Sequence, residues 1–318
     1  MWHSQAEFTA LLAKEGKEVL FYIHGMGQQT SQMVEATDSM QTNFDKQKPE
    51  EVLVVPVDWA ADDGESLQAR AAGLVGLATV VRYWEDQGNA KLAGSALWEL
   101  FSGLKKEDWK GKPLNVIAHS MGNRVLRCVG KSAVIVDDDD GASWYEAGLQ
   151  KDKTLLQVAP EALQSNENLF DNIFFVAADI PESVFEEPDG PNVERAEHAL
   201  QSGVAALALM TKRMHVLHAK TDEALNKESI IVNKGHARLG EHGPWSSALL
   251  GMRGESTKVW DKINDELEKI DGIEKDANGN VRVHDCTPWN EKASKNGHSY
   301  QFADEAVAYY LEHMVKGM

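Results

Sequence analysis

Six short runs of β-branched and aromatic residues, separated by longer stretches, most of them with helical spacing, constrain this chain more than any other feature. They are "EVLFYIH" (18–24), "EVLVVPVDW" (51–59), "PLNVIAH" (113–119), "NIFFVAAD" (172–179), "MHVLHA" (214–219) and "NVRVHDC" (280–286). Most are apolar without strict alternation, the pattern of strands covered on both faces, and the intervals between them leave room for crossover helices. Helical spacing falls at 31–44, 66–86, 90–104, 122–131, 193–212 and 257–270, and 301–315 closes the chain. The expected fold is therefore α/β, a doubly wound, mostly parallel sheet with helices on both faces. With 318 residues, no internal repeat and no Pro-rich linker, a single domain over 1–318 is expected.

One segment interrupts this alternation. "VIVDDDDGASWYEAGLQKDKTLLQ" (134–157) follows the helix at 122–131 and delays the next strand. Its four successive aspartates repel one another and favour a solvated loop over a calcium site, while Trp144, Tyr145 and Leu149 are apolar enough to close over a pocket. Residues 133–168 are accordingly read as a cap insertion.

Charge and composition exclude several partners. Fifty acidic residues against 32 Lys and Arg give a net charge of −18, which repels phosphate backbones and anionic surfaces, so no nucleic-acid partner is expected. The longest nearly apolar stretch, 71–81, falls short of the roughly 20 residues that span a bilayer, so no membrane span is expected. Cys128 and Cys286 make no disulfide framework, and the first residues lack a basic stretch followed by an apolar run. Both point to a cytoplasmic protein.

Within "LNVIAHSMGNRVL" (114–126), Ser120 stands between a buried strand pattern and a helix with Val125, Leu126 and Val129 on related faces. A serine held at so sharp a bend needs small residues two before and two after, and Ala118 and Gly122 occupy those places. The helix starting there aims backbone N–H groups at any oxyanion formed on the serine, and Met121 supplies one donor. "YIHGMGQQ" (22–29), a strand ending in glycines, supplies the second through Met26 N–H, with Gly25 permitting the turn and His24 supporting it.

A serine hydroxyl needs an imidazole to take its proton, and the imidazole needs a carboxylate to fix its tautomer. Of the 11 histidines, His298 in "NGHSYQF" follows the last strand and precedes the final helix, where a base is expected. His119 points away from its neighbour, His215, His218 and His284 lie in strands, and His236 and His242 border the pocket without an apparent metal-ligand set. Asp222, in the turn after the fifth strand, is the preferred acid. Asp179 holds the equivalent place one strand earlier as the alternative, and either is also placed to cap a helix.

The segments "FYIHGMG", "VPVDWA", "VIAHSMGNRVL", "FFVAADIP", "VLHAKTDEAL", "ARLGEHG" and "GHSYQF", in this order from about residue 18 to 312, resemble the α/β-hydrolase superfamily. The likeness is to its esterase and lipase-like members, and among these to a branch catalogued as a domain of unknown function. The resemblance implies Ser120, Asp222 and His298 as the triad. Ala118 stands where glycine is commoner, and the insertion after the serine is longer than usual. The expected activity is hydrolysis of a small-molecule carboxylic ester through an acyl-enzyme, without metal or organic cofactor. A thioesterase or amidase using the same groups, or a binding protein that kept only the scaffold, are the alternatives.

Overall fold

Strands apolar on both faces must be sandwiched, and the computed structural model of this protein places helices on each side of its sheet. It describes residues 5–14, 16–61, 75–104, 112–134, 169–180, 203–225, 238–242, 281–293 and 297–315. In chain order the elements are α1 (Gln5–Lys14), β1 (Glu18–Ile23), α2 (Thr30–Gln47), β2 (Val52–Val57), α3 (Val75–Ser102), β3 (Leu114–His119) and α4 (Gly122–Val134). They continue with β4 (Phe170–Val176), α5 (Val204–Leu209), β5 (Thr211–His218), α6 (Leu239–His242), β6 (Val281–Asp285), α7 (Thr287–Ala293), a 3-10 turn (Tyr300–Phe302) and α8 (Asp304–Met314).

Among the described residues the six strands form one sheet in the order β2-β1-β3-β4-β5-β6, with each neighbouring pair parallel. Alternate residues of each strand face opposite layers. Val19, Phe21, Ile23, Val116, Phe175 and Val216 pack beneath α1, α3, α4 and α5, against Phe8, Phe101, Val125 and Leu207. Leu20, Tyr22, Ile117, Phe174 and Leu217 meet α2 and α8 through Phe44, Val307 and Tyr310. Each such side chain, once fully buried, stabilises the fold by about 1.5–3 kcal/mol.

Polar residues inside this sheet satisfy one another. Asn172 Nδ2 donates to Asn115 Oδ1 at 2.8 Å, and His215 Nε2 donates to Asn172 Oδ1 at 3.2 Å. Burial drives the His215 pKa well below its ordinary value, so the ring is neutral and its Nδ1 accepts from Tyr309 OH at 3.0 Å, between β4 and α8.

Helix boundaries depart from expectation in ways that packing explains. The stretches 66–86 and 90–104 are joined, from Val75 onward, in the single helix α3, which runs through Gly88. A glycine inside a helix costs about 1 kcal/mol, less than burial of Tyr83, Ala90 and Phe101 returns. The helix expected over 193–212 is confined, among the described residues, to α5. Thr211 and Lys212 already belong to β5, because Thr211 pairs with Phe170 across the sheet. α1, α6 and α7 are further helices, too short for a strong periodic signal. The candidate helix 257–270 and nearly all of the cap segment 133–168 lie outside the described residues.

β1 sits between β2 and β3, so the chain leaves β1 toward one edge of the sheet while the later strands build toward the other. Loops leaving the carboxyl ends of β1 and β3 therefore diverge and open a crevice, the usual ligand position in an open parallel sheet. "HGMG" and Ser120 meet there.

Candidate active site

Ser120 directly follows β3 with φ 52°, a left-handed conformation that costs a non-glycine residue about 1–2 kcal/mol. Three backbone bonds impose it: Ser120 N–H donates to Val176 O at 3.0 Å, and Ser120 O accepts from Asp179 N at 3.1 Å and Asn123 N at 3.1 Å. Asn123, fully buried in the first turn of α4, also donates from Nδ2 to Ala118 O and Ser120 O. Ala118 is buried between Ile23 of β1 and Phe175 of β4.

Gly122 has no room for a side chain, since a Cβ would lie 2.5 Å from both Ile23 O and His24 O. These are backbone atoms of the central strand and its loop and cannot swing aside. Gly122→Ala is expected to lower stability by about 3 kcal/mol or more, measured as a fall in the urea midpoint. A wild-type midpoint would show that the elbow is not packed this tightly.

The loop after β1 presses on the serine. A Cβ on Gly25 would stand 3.0 Å from Ser120 Cβ and 3.5 Å from its Oγ. His24 is fully buried and stacks on Trp59 with ring centroids 5.4 Å apart. Its Nε2 accepts from Trp59 N–H at 3.4 Å, so Nδ1 carries the proton and donates to Gly25 O at 2.8 Å. Trp59 Nε1 closes the arrangement on His24 O at 2.9 Å. Because the Gly25–Met26 peptide is trans, turning its carbonyl toward the His24 ring directs Met26 N–H to the opposite side. Met26 is partly buried, and Met121, at the start of α4, is fully buried.

Asp222 and His298 meet. His298 Nδ1 lies 2.8 Å from both carboxylate oxygens of Asp222, which is fully buried, whereas the imidazole is 18 % exposed. Asp222 Oδ1 also accepts from Leu225 N–H at 3.1 Å, so the capping role and the contact with imidazole are filled by one carboxylate. Burial pushes the Asp222 carboxyl above its ordinary range, against the hydrogen bond and charge of His298, which pull it down.

The turn bearing His298 is held against the elbow. His119 Nε2 donates to His298 O at 2.9 Å, and the two rings lie 4.9 Å apart. A carbonyl only accepts, so His119 carries its proton on Nε2, and burial drives its pKa down to about 3. Two residues past His298, Tyr300 accepts from Ala177 N–H and donates to Leu217 O, pinning the turn to β4 and β5.

Asp179, the alternative acid, is engaged elsewhere. Tyr83 OH donates to its Oδ2 at 2.6 Å, Arg238 Nε lies 3.1 Å from Oδ1, and Arg124 Nε donates to its backbone oxygen at 3.0 Å. Arg124 and Arg238 both also donate to Tyr83 OH. Arg238, 1 % exposed, is a buried cation that no motif singles out, although it lies inside "ARLGEHG". Its only signal there is an arginine amid apolar and small residues. Trp59 leaves a comparable trace in "VPVDWA", and His119, excluded as the base by its direction, is a support of the His298 turn.

Other expected residues find structural places. His284 stacks on Trp289 at 4.5 Å, and His218 Nδ1 lies 3.4 Å from Glu241 O, the carbonyl to which it donates. His236 and the side chain of His242 lie outside the described residues, as do Asp137–Asp140, Trp144, Tyr145 and Leu149. Among the described residues no group of three or more His, Cys, Asp or Glu is placed to hold a metal ion, and no helix is long and apolar enough to cross a membrane. Cys128 and Cys286 are free thiols.

Burial lowers the pKa of His24, His119, His215 and His218. Between pH 6.5 and the lowered values the unfolded chain binds protons that these rings in the folded state refuse, so stability present at neutral pH is lost as the pH falls. Asp222, with its raised pKa, acts in the opposite sense, one carboxylate against these four rings and the likewise lowered His284 and His313. A loss of several kcal/mol between pH 7 and pH 4 is expected in urea titrations. A flat profile over that range would remove the neutral histidines from the account.

A six-stranded parallel sheet flanked by helices, with a strained serine at the end of a central strand, defines an α/β hydrolase. The chain belongs to the family described as alpha/beta hydrolase of unknown function (DUF900), whose model matches residues 2–272. The match contains Ser120 and Asp222 and stops short of His298. No curated protein and no solved structure matches the chain.

Proposed function

We propose that this protein is a serine hydrolase that cleaves carboxylic esters of small molecules. The observation that carries the reading is the His298 imidazole, bonded to a buried Asp222 carboxylate on one side of its turn and held through its carbonyl by the neighbour of Ser120 on the other. In this reading His298 Nε2 takes the Ser120 proton as Oγ attacks the ester carbon. The tetrahedral oxyanion is met by the Met26 and Met121 N–H groups. Collapse breaks the bond to the alcohol oxygen, which receives the proton from His298, and leaves an acyl-Ser120. Water deprotonated by His298 then releases the acid and restores the serine.

Asp222 holds the proton of the resting imidazole on Nδ1, leaving Nε2 as the base, and stabilises the imidazolium that forms. A neutral His119 suits this cycle, since a second cation 4.9 Å from the ring would oppose the imidazolium. One catalytic domain spanning the chain, with residues 133–168 capping the pocket, belongs to the same proposal and rests on sequence.

A fluorophosphonate probe tests the reading directly. Wild-type protein is expected to take up one equivalent, and Ser120→Ala none. A panel of p-nitrophenyl esters of increasing chain length, with a thioester and an anilide of the best acyl group, then reports the bond and acyl size preferred. Folded wild-type protein that neither labels nor turns over any of them would favour the scaffold alternative.

A further inference from the structure

The acid and the base come from turns far apart in the chain, and one buried amide joins them. Asn290, in α7, is 1 % exposed. Its Nδ2 lies 2.6 Å from Gly297 O and 3.1 Å from Thr221 Oγ1. A carbonyl oxygen only accepts, so nitrogen must face Gly297, and the two amide hydrogens are divided between the partners. Thr221 immediately precedes Asp222, and Gly297 immediately precedes His298.

The two turns also touch through their backbones. Gly297 has φ 60°, and a Cβ there would lie 2.6 Å from Thr221 O and 3.2 Å from Asn290 Nδ2. A side chain at 297 would push apart the strands of chain that the amide holds together. Among the described residues Asn290 Oδ1 is buried with no hydrogen-bond partner, an unfavourable state that the two donor bonds must outweigh. Its helix is itself anchored: Asn290 N–H donates to Cys286 O at 2.9 Å, and Trp289 stacks on His284 of β6.

We propose that Asn290 is a positioning residue for the acid–base pair, its amide tying the Thr221–Asp222 turn to the Gly297–His298 turn and so setting carboxylate against imidazole. This rests on the hydrolase reading above. Catalytic groups lose effectiveness steeply with displacement, on the order of 10²-fold for about 1 Å. Asn290 touches no reacting atom, so its removal should disturb the chemical step and leave substrate binding alone.

Three variants test this in the full chain. Asn290→Leu removes both donors at similar volume, Asn290→Asp keeps the shape while presenting oxygen to Gly297 O, and Thr221→Val removes only the acid-side acceptor from an exposed turn. With p-nitrophenyl butyrate, the Asn290 variants are expected to lose about 10- to 100-fold in kcat with KM unchanged within about twofold, and Thr221→Val to lose less in the same direction. A second readout is the low-field proton resonance of His298 Nδ1–H, assigned by its absence in His298→Gln. It should shift upfield and broaden in all three.

Wild-type kcat together with an unmoved resonance in any folded variant of Asn290 would overturn the inference while leaving the hydrolase reading intact. Should wild-type protein take no fluorophosphonate and cleave no ester, that reading fails, and the resonance still decides: shifted in Asn290→Leu supports the clamp, unmoved removes it. If neither Asn290 variant folds, Thr221→Val decides alone by the same criterion.

Discussion

Ser120→Ala is expected to abolish ester turnover, lowering kcat by about 10⁴- to 10⁶-fold, and to leave the fold intact. The size of the loss follows from the proposed mechanism. Without Oγ there is no acyl-enzyme, and the remaining groups can only orient water against an ester, which recovers a small residue of the rate. Folding should be unaffected because alanine meets the same left-handed backbone at φ 52° and loses only an oxygen. Ser120→Gly should be equally inactive but more stable than Ser120→Ala by about 1 kcal/mol, since glycine adopts this conformation without strain. Turnover and urea midpoints measured on the same three preparations separate the two effects. Retention of wild-type turnover by pure Ser120→Ala would end the serine-hydrolase reading, and equal midpoints for the two variants would show that the elbow stores no strain.

The two acids should fail in opposite ways. Asp222→Asn is expected to cost about 10⁴-fold in kcat at little change in stability, because an amide no longer holds the His298 proton on Nδ1 and the imidazole then offers the serine the wrong nitrogen. Asp179→Asn should instead leave the chemistry of the triad in place and destabilise the protein by about 3 kcal/mol. It removes the carboxylate that faces Arg238 Nε at 3.1 Å and accepts from Tyr83 OH at 2.6 Å, and Arg238 has almost no access to water. Kinetics at saturating substrate and urea denaturation of both variants decide the assignment. The reverse pattern, a stable but inactive Asp179→Asn beside an active Asp222→Asn, would transfer the role of acid to Asp179.

The two carboxylates were nearly equivalent on paper because each follows a β-strand at the same end of the sheet. Sequence position ranks Asp222 first, but nothing in "FFVAADIP" announces that Asp179 will meet Tyr83 from α3, Arg124 from α4 and Arg238 from the position just before α6. Those partners are up to 96 residues away from it. Asn290 is a sharper case, for "TPWNEK" carries no pattern that distinguishes a surface amide from a clamp between two turns. Helix ends were similarly opaque: Gly88 reads as a break between two helices, and only the packing of α3 on the sheet and α4 carries the helix through it.

What the sequence determined by itself is whatever depends on neighbours along the chain. Strands covered on both faces carry apolar runs, and the edge strand β6 a valine alternation, so all six strands were visible within a few residues, and with them the α/β architecture. The bend at Ser120 was equally visible, because a strand, a left-handed residue and a helix start leave a local mark in Ala118, Ser120 and Gly122. Only the tertiary structure decided which carboxylate faces His298, across 76 residues of chain, and which buried polar groups hold that pair in place. Hydrogen bonds and ion pairs form between side chains that folding brings within about 3 Å, and no propensity or period records that distance in advance.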